Sequence, residues 1–97
     1  MGKSYDYVAP DYKIRFGISG DWFLFQNADF EISGELKYGV WRLVVCNIRK
    51  GYPYVITNKL ELDDLPYKTL VSFRKALGIK GLEWVLDSEV TLLEEEK

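Results

Sequence analysis

Apolar and polar positions alternate most regularly over residues 12–19, where Tyr12, Ile14, Phe16 and Ile18 interleave with Lys13, Arg15, Gly17 and Ser19. Successive side chains of a β-strand point to opposite faces, so this period of two predicts a strand with one face in the core and one in water. Ser19-Gly20-Asp21 supplies turn residues, and Trp22 to Gln26 follows as a second strand, apolar on both faces. Asn27-Ala28-Asp29 reads as a turn or a bulge. Phe30-Glu31-Ile32 resumes the alternation, Ser33-Gly34 breaks it again, and Leu36 either pairs with this element or leads into the next.

The stretch Leu36 to Leu60 organises the rest. Val40 to Ile48 is a run of β-branched and aromatic residues suited to a pleated, half-buried surface, Gly51 and Pro53 interrupt it, and Tyr54 to Leu62 begins a second apolar run. The pattern predicts a β-hairpin. With Arg49 facing Tyr54 across Lys50-Gly51-Tyr52-Pro53, one face collects Trp41, Leu43, Val45, Ile56, Leu60 and Leu62. Arg42, Val44, Cys46, Ile48, Val55, Thr57, Lys59 and Glu61 fall on the other face, with Arg42 opposite Glu61. A slip of one residue would exchange the faces.

Helical spacing takes over beyond this point. Asp63 or Asp64 suits an N-cap, Pro66 suits a first turn, and Tyr67, Leu70, Val71, Arg74 and Leu77 recur on one stripe before Gly78, a ready left-handed stop. The expectation is a helix near residues 65–78. In the following run, Leu82, Val85, Leu86 and Leu93 approximate a second helical stripe, although Asp87-Ser88 could equally divide two short strands; the helix is favoured. Residues 1–10, with Tyr5 and Tyr7 but no clear period, read as a tail, and Glu94-Glu95-Glu96-Lys97 as a solvated acidic end. The fold class expected is α+β in one domain spanning residues 1–97: four or five antiparallel strands, then a helix covering one face, with a second C-terminal helix.

Composition narrows the chemistry more than the fold. A chain of 97 residues, 47% hydrophobic and 15% aromatic, is large enough to bury a core without disulfides or metal. No apolar run reaches the length of a membrane span and the first residues lack a signal-peptide core, so a soluble cytoplasmic protein with no membrane partner is expected. Histidine is absent, which removes His-based triads and most zinc sites. Cys46 is the single cysteine and reads as a small core residue. There is no Gly-rich phosphate loop, Cys-x-x-Cys pair or nucleophile elbow, and an N-cap role explains the neighbouring acids Asp63 and Asp64. No cofactor, metal or catalytic residue is expected, and the chain reads as a non-enzyme. Gln26 is the only glutamine and Met1 the only methionine, a bias found in proteins from hot environments.

Charge supplies the one functional candidate. Residues 36–60 hold five basic residues (Lys37, Arg42, Arg49, Lys50, Lys59) and no acid, within a chain of net charge −2. Tyr38, Trp41, Tyr52 and Tyr54 lie in the same span, and Lys13 and Arg15 occupy the wet face of the first strand. Cations neutralise phosphates and exposed rings stack on unpaired bases, so Arg42, Arg49, Lys50, Tyr52, Tyr54 and Lys59 are the expected contacts to single-stranded DNA or RNA. Lysine and arginine also decorate ordinary sheets, where they discourage edge-to-edge aggregation.

The order of elements adds a resemblance. Antiparallel strands, then Asn47-Ile48-Arg49-Lys50-Gly51-Tyr52-Pro53, then Asn58-Lys59-Leu60-Glu61-Leu62 running into a helix, resembles the positive-cofactor-four and Whirly superfamily of single-stranded DNA-binding proteins over about residues 40–78. Where that family has a glycine after the lysine, Lys59 is followed by Leu60, and Tyr67 stands where its helix often has tryptophan. The resemblance implies a dimer formed through the helix and carries nucleic-acid contact onto Arg49, Lys50 and Lys59. From the residues themselves, the apolar surface left on the hairpin also predicts a second element or a symmetric homodimer. The alternative function is a protein-interaction or inhibitor module, regulatory or viral, that docks a protein partner by strand addition.

Overall fold

The computed structural model describes residues 4–56 and 62–87, with residues 52–56 and 87 described as backbone. Six strands form one antiparallel sheet in strict sequence order: β1 (Ser4–Ala9), β2 (Tyr12–Gly17), β3 (Trp22–Gln26), β4 (Phe30–Lys37), β5 (Val40–Asn47) and β6 (Tyr52–Ile56). Helix α1 (Tyr67–Gly78) and the short α2 (Trp84–Asp87) follow. The α+β class is as expected, with one strand more. Among the described residues no helix is long and apolar enough to cross a membrane.

The additional strand is β1, in the segment read as a tail. Tyr5 and Tyr7 face the core side, where Tyr7 meets Phe16 edge-on at 5.9 Å and Tyr5 lies beneath the Lys80 ammonium, 4.4 Å from the ring centre. On the other side Asp6 pairs with Arg15, while Val8 is left exposed. An apolar residue on the wet side hides the period of two.

A glycine lets β4 close up against the β2–β3 hairpin. Gly34 does not break β4, because it lies opposite Phe23 and the ring covers it: a Cβ there would stand 2.3 Å from the Phe23 Cζ. Tyr38 and Gly39 form the two-residue β4–β5 turn, both with positive φ (53° and 78°), the left-handed pairing that suits the right-handed twist of a hairpin.

The β5–β6 hairpin is shifted from the expected register. Leu43 pairs with Ile56 and Asn47 with Tyr52, so the connection is Ile48-Arg49-Lys50-Gly51. Asn47 sets this connection: its Oδ1 accepts from the backbone N–H of Arg49 and of Lys50, both at 3.1 Å, and Gly51 takes φ 77°. The shift keeps the parity of the pairing, so Trp41, Leu43 and Val45 still point into the core and Arg42, Val44 and Cys46 away from it. Arg42 lies opposite Glu35 of β4, and its expected opposition to Glu61 does not fit this register; Glu61 itself lies outside the described residues.

Helix α1 begins later than the acids suggested. Its N-cap is Pro66, without a side-chain cap bond, so neither Asp63 nor Asp64 caps it. Gly78 lies within the helix, and the left-handed residue is Gly81 (φ 69°). The end is a Schellman closure: the Leu82 N–H donates to the Leu77 carbonyl (2.9 Å) and the Gly81 N–H to the Gly78 carbonyl (3.1 Å). The buried stripe is Thr69, Phe73, Ala76 and Leu77, rotated from the expected one, and Tyr67 is 80% exposed. Phe73 meets the rings of Phe23 and Phe25 at 5.7 and 5.0 Å. Leu62, Leu65, Val85 and Leu86 complete a single core on this inner face of the sheet. Beyond Asp87, the rest of the second helical stripe lies outside the described residues.

Gly34→Ala is expected to destabilise the protein by about 1–3 kcal/mol, because the fully buried Phe23 ring has no free space to yield to the added methyl. Urea unfolding monitored by tryptophan fluorescence checks this, and an unchanged midpoint would refute the close approach.

Candidate functional site

The face of the sheet away from α1 is covered by no helix among the described residues. Its residues form three rows across the strands, read directly from the register. Gly17, Trp22, Glu35 and Arg42 make one row; Asp6, Arg15, Leu24, Ser33 and Val44 the next; Val8, Lys13, Gln26, Glu31 and Cys46 the third. Leu24, Ser33, Val44 and Cys46 are half-buried, and charged residues surround them.

Trp22 is the distinctive side chain here. Its indole lies over Gly17, where an added Cβ would stand 2.2 Å from the indole Nε1 and 2.6 Å from Cδ1 and Cε2. Gly17 is buried as a result, and Trp22 keeps 36% exposure. One side of the ring is therefore seated on backbone while part of it meets solvent. A shallow groove of about 670 Å³ starts at this ring and runs past Leu24, Glu35, Lys37, Arg42 and Val44.

The residues expected to carry binding are not brought together. Arg42 is exposed in the groove. Arg49 and Lys50 occupy the loop at the far end of β5, roughly 17 Å away along the strand at about 3.4 Å per residue. Arg49 donates from Nε to Asp29 Oδ1, which raises its pKa above the usual guanidinium value, the hydrogen bond first and the carboxylate charge second. The loop is further tied to the β3–β4 turn by the Ile48 N–H, which donates to the Asp29 carbonyl at 2.9 Å. Tyr52 and Tyr54 stand opposite Asn47 and Val45, in rows that alternate with the row of Arg42. Lys59 lies outside the described residues.

Other cations on this face also have acidic neighbours. Arg15 donates from Nε and Nη2 to the two carboxylate oxygens of Asp6, at 2.6 and 3.1 Å, and Lys37 Nζ lies 3.9 Å from Glu35. The hydrogen bond from Arg15 holds the Asp6 carboxyl below its ordinary value, outweighing desolvation, while the charges of Arg15 and Lys13 add smaller contributions in the same direction as the bond.

Trp22, Gly17 and Glu35 were not among the residues singled out from sequence. A signal was available: Gly17 and Trp22 are equidistant from the centre of the Ser19-Gly20 turn, which places an aromatic ring opposite a residue with no side chain. No protein-family model, curated protein or solved structure matches this chain, so the resemblance of residues 40–78 to the positive-cofactor-four and Whirly superfamily rests on its short motifs.

Because Asp6 is depressed in the folded state, its contribution to stability is present above the unfolded-state value and is lost as pH falls through the lower folded-state value. Thermal melts of the protein and of Asp6→Asn should therefore differ near pH 7 and converge as pH drops below 3.8. A difference that persists undiminished well below that pH would contradict the assignment.

Proposed function

We propose that this chain is a non-catalytic protein that binds single-stranded nucleic acid on the open face of its sheet, with Trp22 as the stacking platform. The observation that carries the reading is the seating of the indole on Gly17, which orients the ring at no cost in side-chain ordering when a base arrives. Every base offers a π-face, so stacking on such a ring is tolerant of sequence. Arg42 and Lys37 line the same groove and supply phosphate contacts, and Lys13 and Arg15 continue the cationic positions across β2. Arg49 and Lys50 serve as an outlying contact for a strand that passes the far end of β5.

A second reading has its own observation in favour. Asp6, Glu31 and Glu35 interleave with Lys13, Arg15, Lys37 and Arg42, and a face of mixed sign around a half-buried apolar strip suits a protein partner, a second copy of the chain included. In that case oligonucleotide binding is absent, and light scattering at tens of micromolar gives twice the chain mass of 11.3 kDa.

Fluorescence anisotropy with a labelled 20-mer tests the first reading. With two to four phosphates contacted, log affinity should fall against log salt with a slope of about −1.4 to −2.8, at roughly 0.7 per contact. Trp22→Ala is expected to weaken binding by about 1–3 kcal/mol at nearly constant slope, and Arg42→Ala to flatten the slope by about 0.7. Gly17→Ala, which adds no charge but places a Cβ 2.2 Å from the indole Nε1 and so unseats the ring, should lose affinity at nearly constant slope. Absence of binding at about 100 µM protein in low salt would end this reading.

A further inference from the structure

We infer that the open face selects guanine among the bases that stack on Trp22, through the carboxylate of Glu35; this inference rests on the nucleic-acid reading of the same face. Glu35 is the register partner of Trp22 on the adjacent strand, which places their Cβ atoms about 5 Å apart on one face of the sheet. Both side chains line the groove, and the Glu35 side chain is 61% exposed, with Lys37 Nζ at 3.9 Å as its ion-pair partner. The indole leans across to Gly17 on β2 and Glu35 flanks Trp22 from β4 on the other side, so the carboxylate faces the edge of a base that lies on the ring and overhangs it toward β4.

The chemistry of that edge decides which base fits. An ionised carboxylate only accepts hydrogen bonds, and it accepts two side by side. Guanine is the one standard base whose Watson–Crick edge presents two adjacent donors, N1–H and the N2 amino group. Adenine and cytosine each offer one amino donor next to an acceptor nitrogen, and thymine or uracil one N–H between two carbonyls. For those bases an acceptor faces the carboxylate and an unfavourable contact results. Arg42, beyond Glu35 in the same row, is left for the phosphate that follows the stacked nucleotide. An acid in a nucleic-acid groove is otherwise a liability, because it repels the backbone. Here it sits between the platform and the cation, the position from which a base edge is read.

The test uses 12-mers of thymidine carrying one central guanine, adenine or cytosine, against all-thymidine, by anisotropy with the full chain at low salt. The guanine 12-mer should bind about tenfold more tightly than the other three, within the range of a good bidentate base contact. Glu35→Gln replaces one acceptor oxygen by a donor and removes a charge. It should abolish the preference, with the guanine 12-mer falling to the affinity of the adenine and cytosine 12-mers. Circular dichroism of Glu35→Gln should match that of the parent chain, because the position is exposed. Binding of all four oligonucleotides with equal affinity would overturn guanine selection and keep the stacking site. Binding of none would overturn both. A preference that survives Glu35→Gln would overturn the role of the carboxylate.

Discussion

Phe73 projects from α1 onto two rings of β3, Phe23 and Phe25, and the position of almost every other element follows from that contact. A helix of 12 residues is marginal alone in water, so its stability comes from the apolar face it buries. Phe23 can lie where Phe73 needs it only because Gly34 leaves room on the neighbouring strand, and Phe23 also meets Trp41 at 5.4 Å. Helix and sheet are thus joined through aromatic rings rather than an aliphatic ridge. At about 1.5 Å per residue the helix spans roughly 18 Å, against about 24 Å across six strands spaced 4.8 Å apart. One helix, extended by the turn at Leu62–Leu65 and by α2, is enough for the inner face. Among the described residues nothing is left to cover the outer one.

The two turns that tie the far end of the sheet are built from asparagine. Asn27 Oδ1 accepts from the N–H groups of Asp29 (2.9 Å) and Phe30 (2.8 Å), while its Nδ2 donates to the buried Thr69 Oγ1 at 3.2 Å. Asn47 organises the β5–β6 connection in the same manner. Asp29 then links the two turns, through its carbonyl to Ile48 and its carboxylate to Arg49. Arg49 is therefore occupied in holding the loop, and the charge that looks available in the sequence is reduced in the fold.

Much of the architecture was legible in the pattern of residues. The period of two over residues 12–17, the Trp22–Gln26 strand and a helix near residues 65–78 follow from local chemistry, whereas Ile18 turns out exposed beyond the strand end; the faces of β5 survive a wrong loop because the register shift preserved parity. What was not legible depends on contacts across the sheet. Gly34 looks like a break until Phe23 is seen above it, and β1 looks like a tail until Tyr5 and Tyr7 find Lys80 and Phe16. The candidate site suffered in the same way. A charge count along residues 36–60 merges Arg42 with Arg49 and Lys50, whereas the strand between them separates the two groups by roughly 17 Å. The platform at Trp22 lay outside the counted span.

Under the proposed reading, that separation decides how a chain of net charge −2 would hold a polyanion. At physiological ionic strength exposed charges are screened beyond about 8 Å, so the loop cations and Arg42 would act on a strand bound as proposed independently, and so would the distant acids. The local composition of the groove matters more than the isoelectric point. There the cations are few and Glu35 stands among them, so Coulomb attraction alone provides only weak binding. A ring held flat on Gly17 would supply a stacking contribution that salt does not screen and that the acid does not oppose. In such a groove stacking must come first and phosphate contact second, and an acid beside the ring is tolerated only where it meets a base edge instead of the backbone.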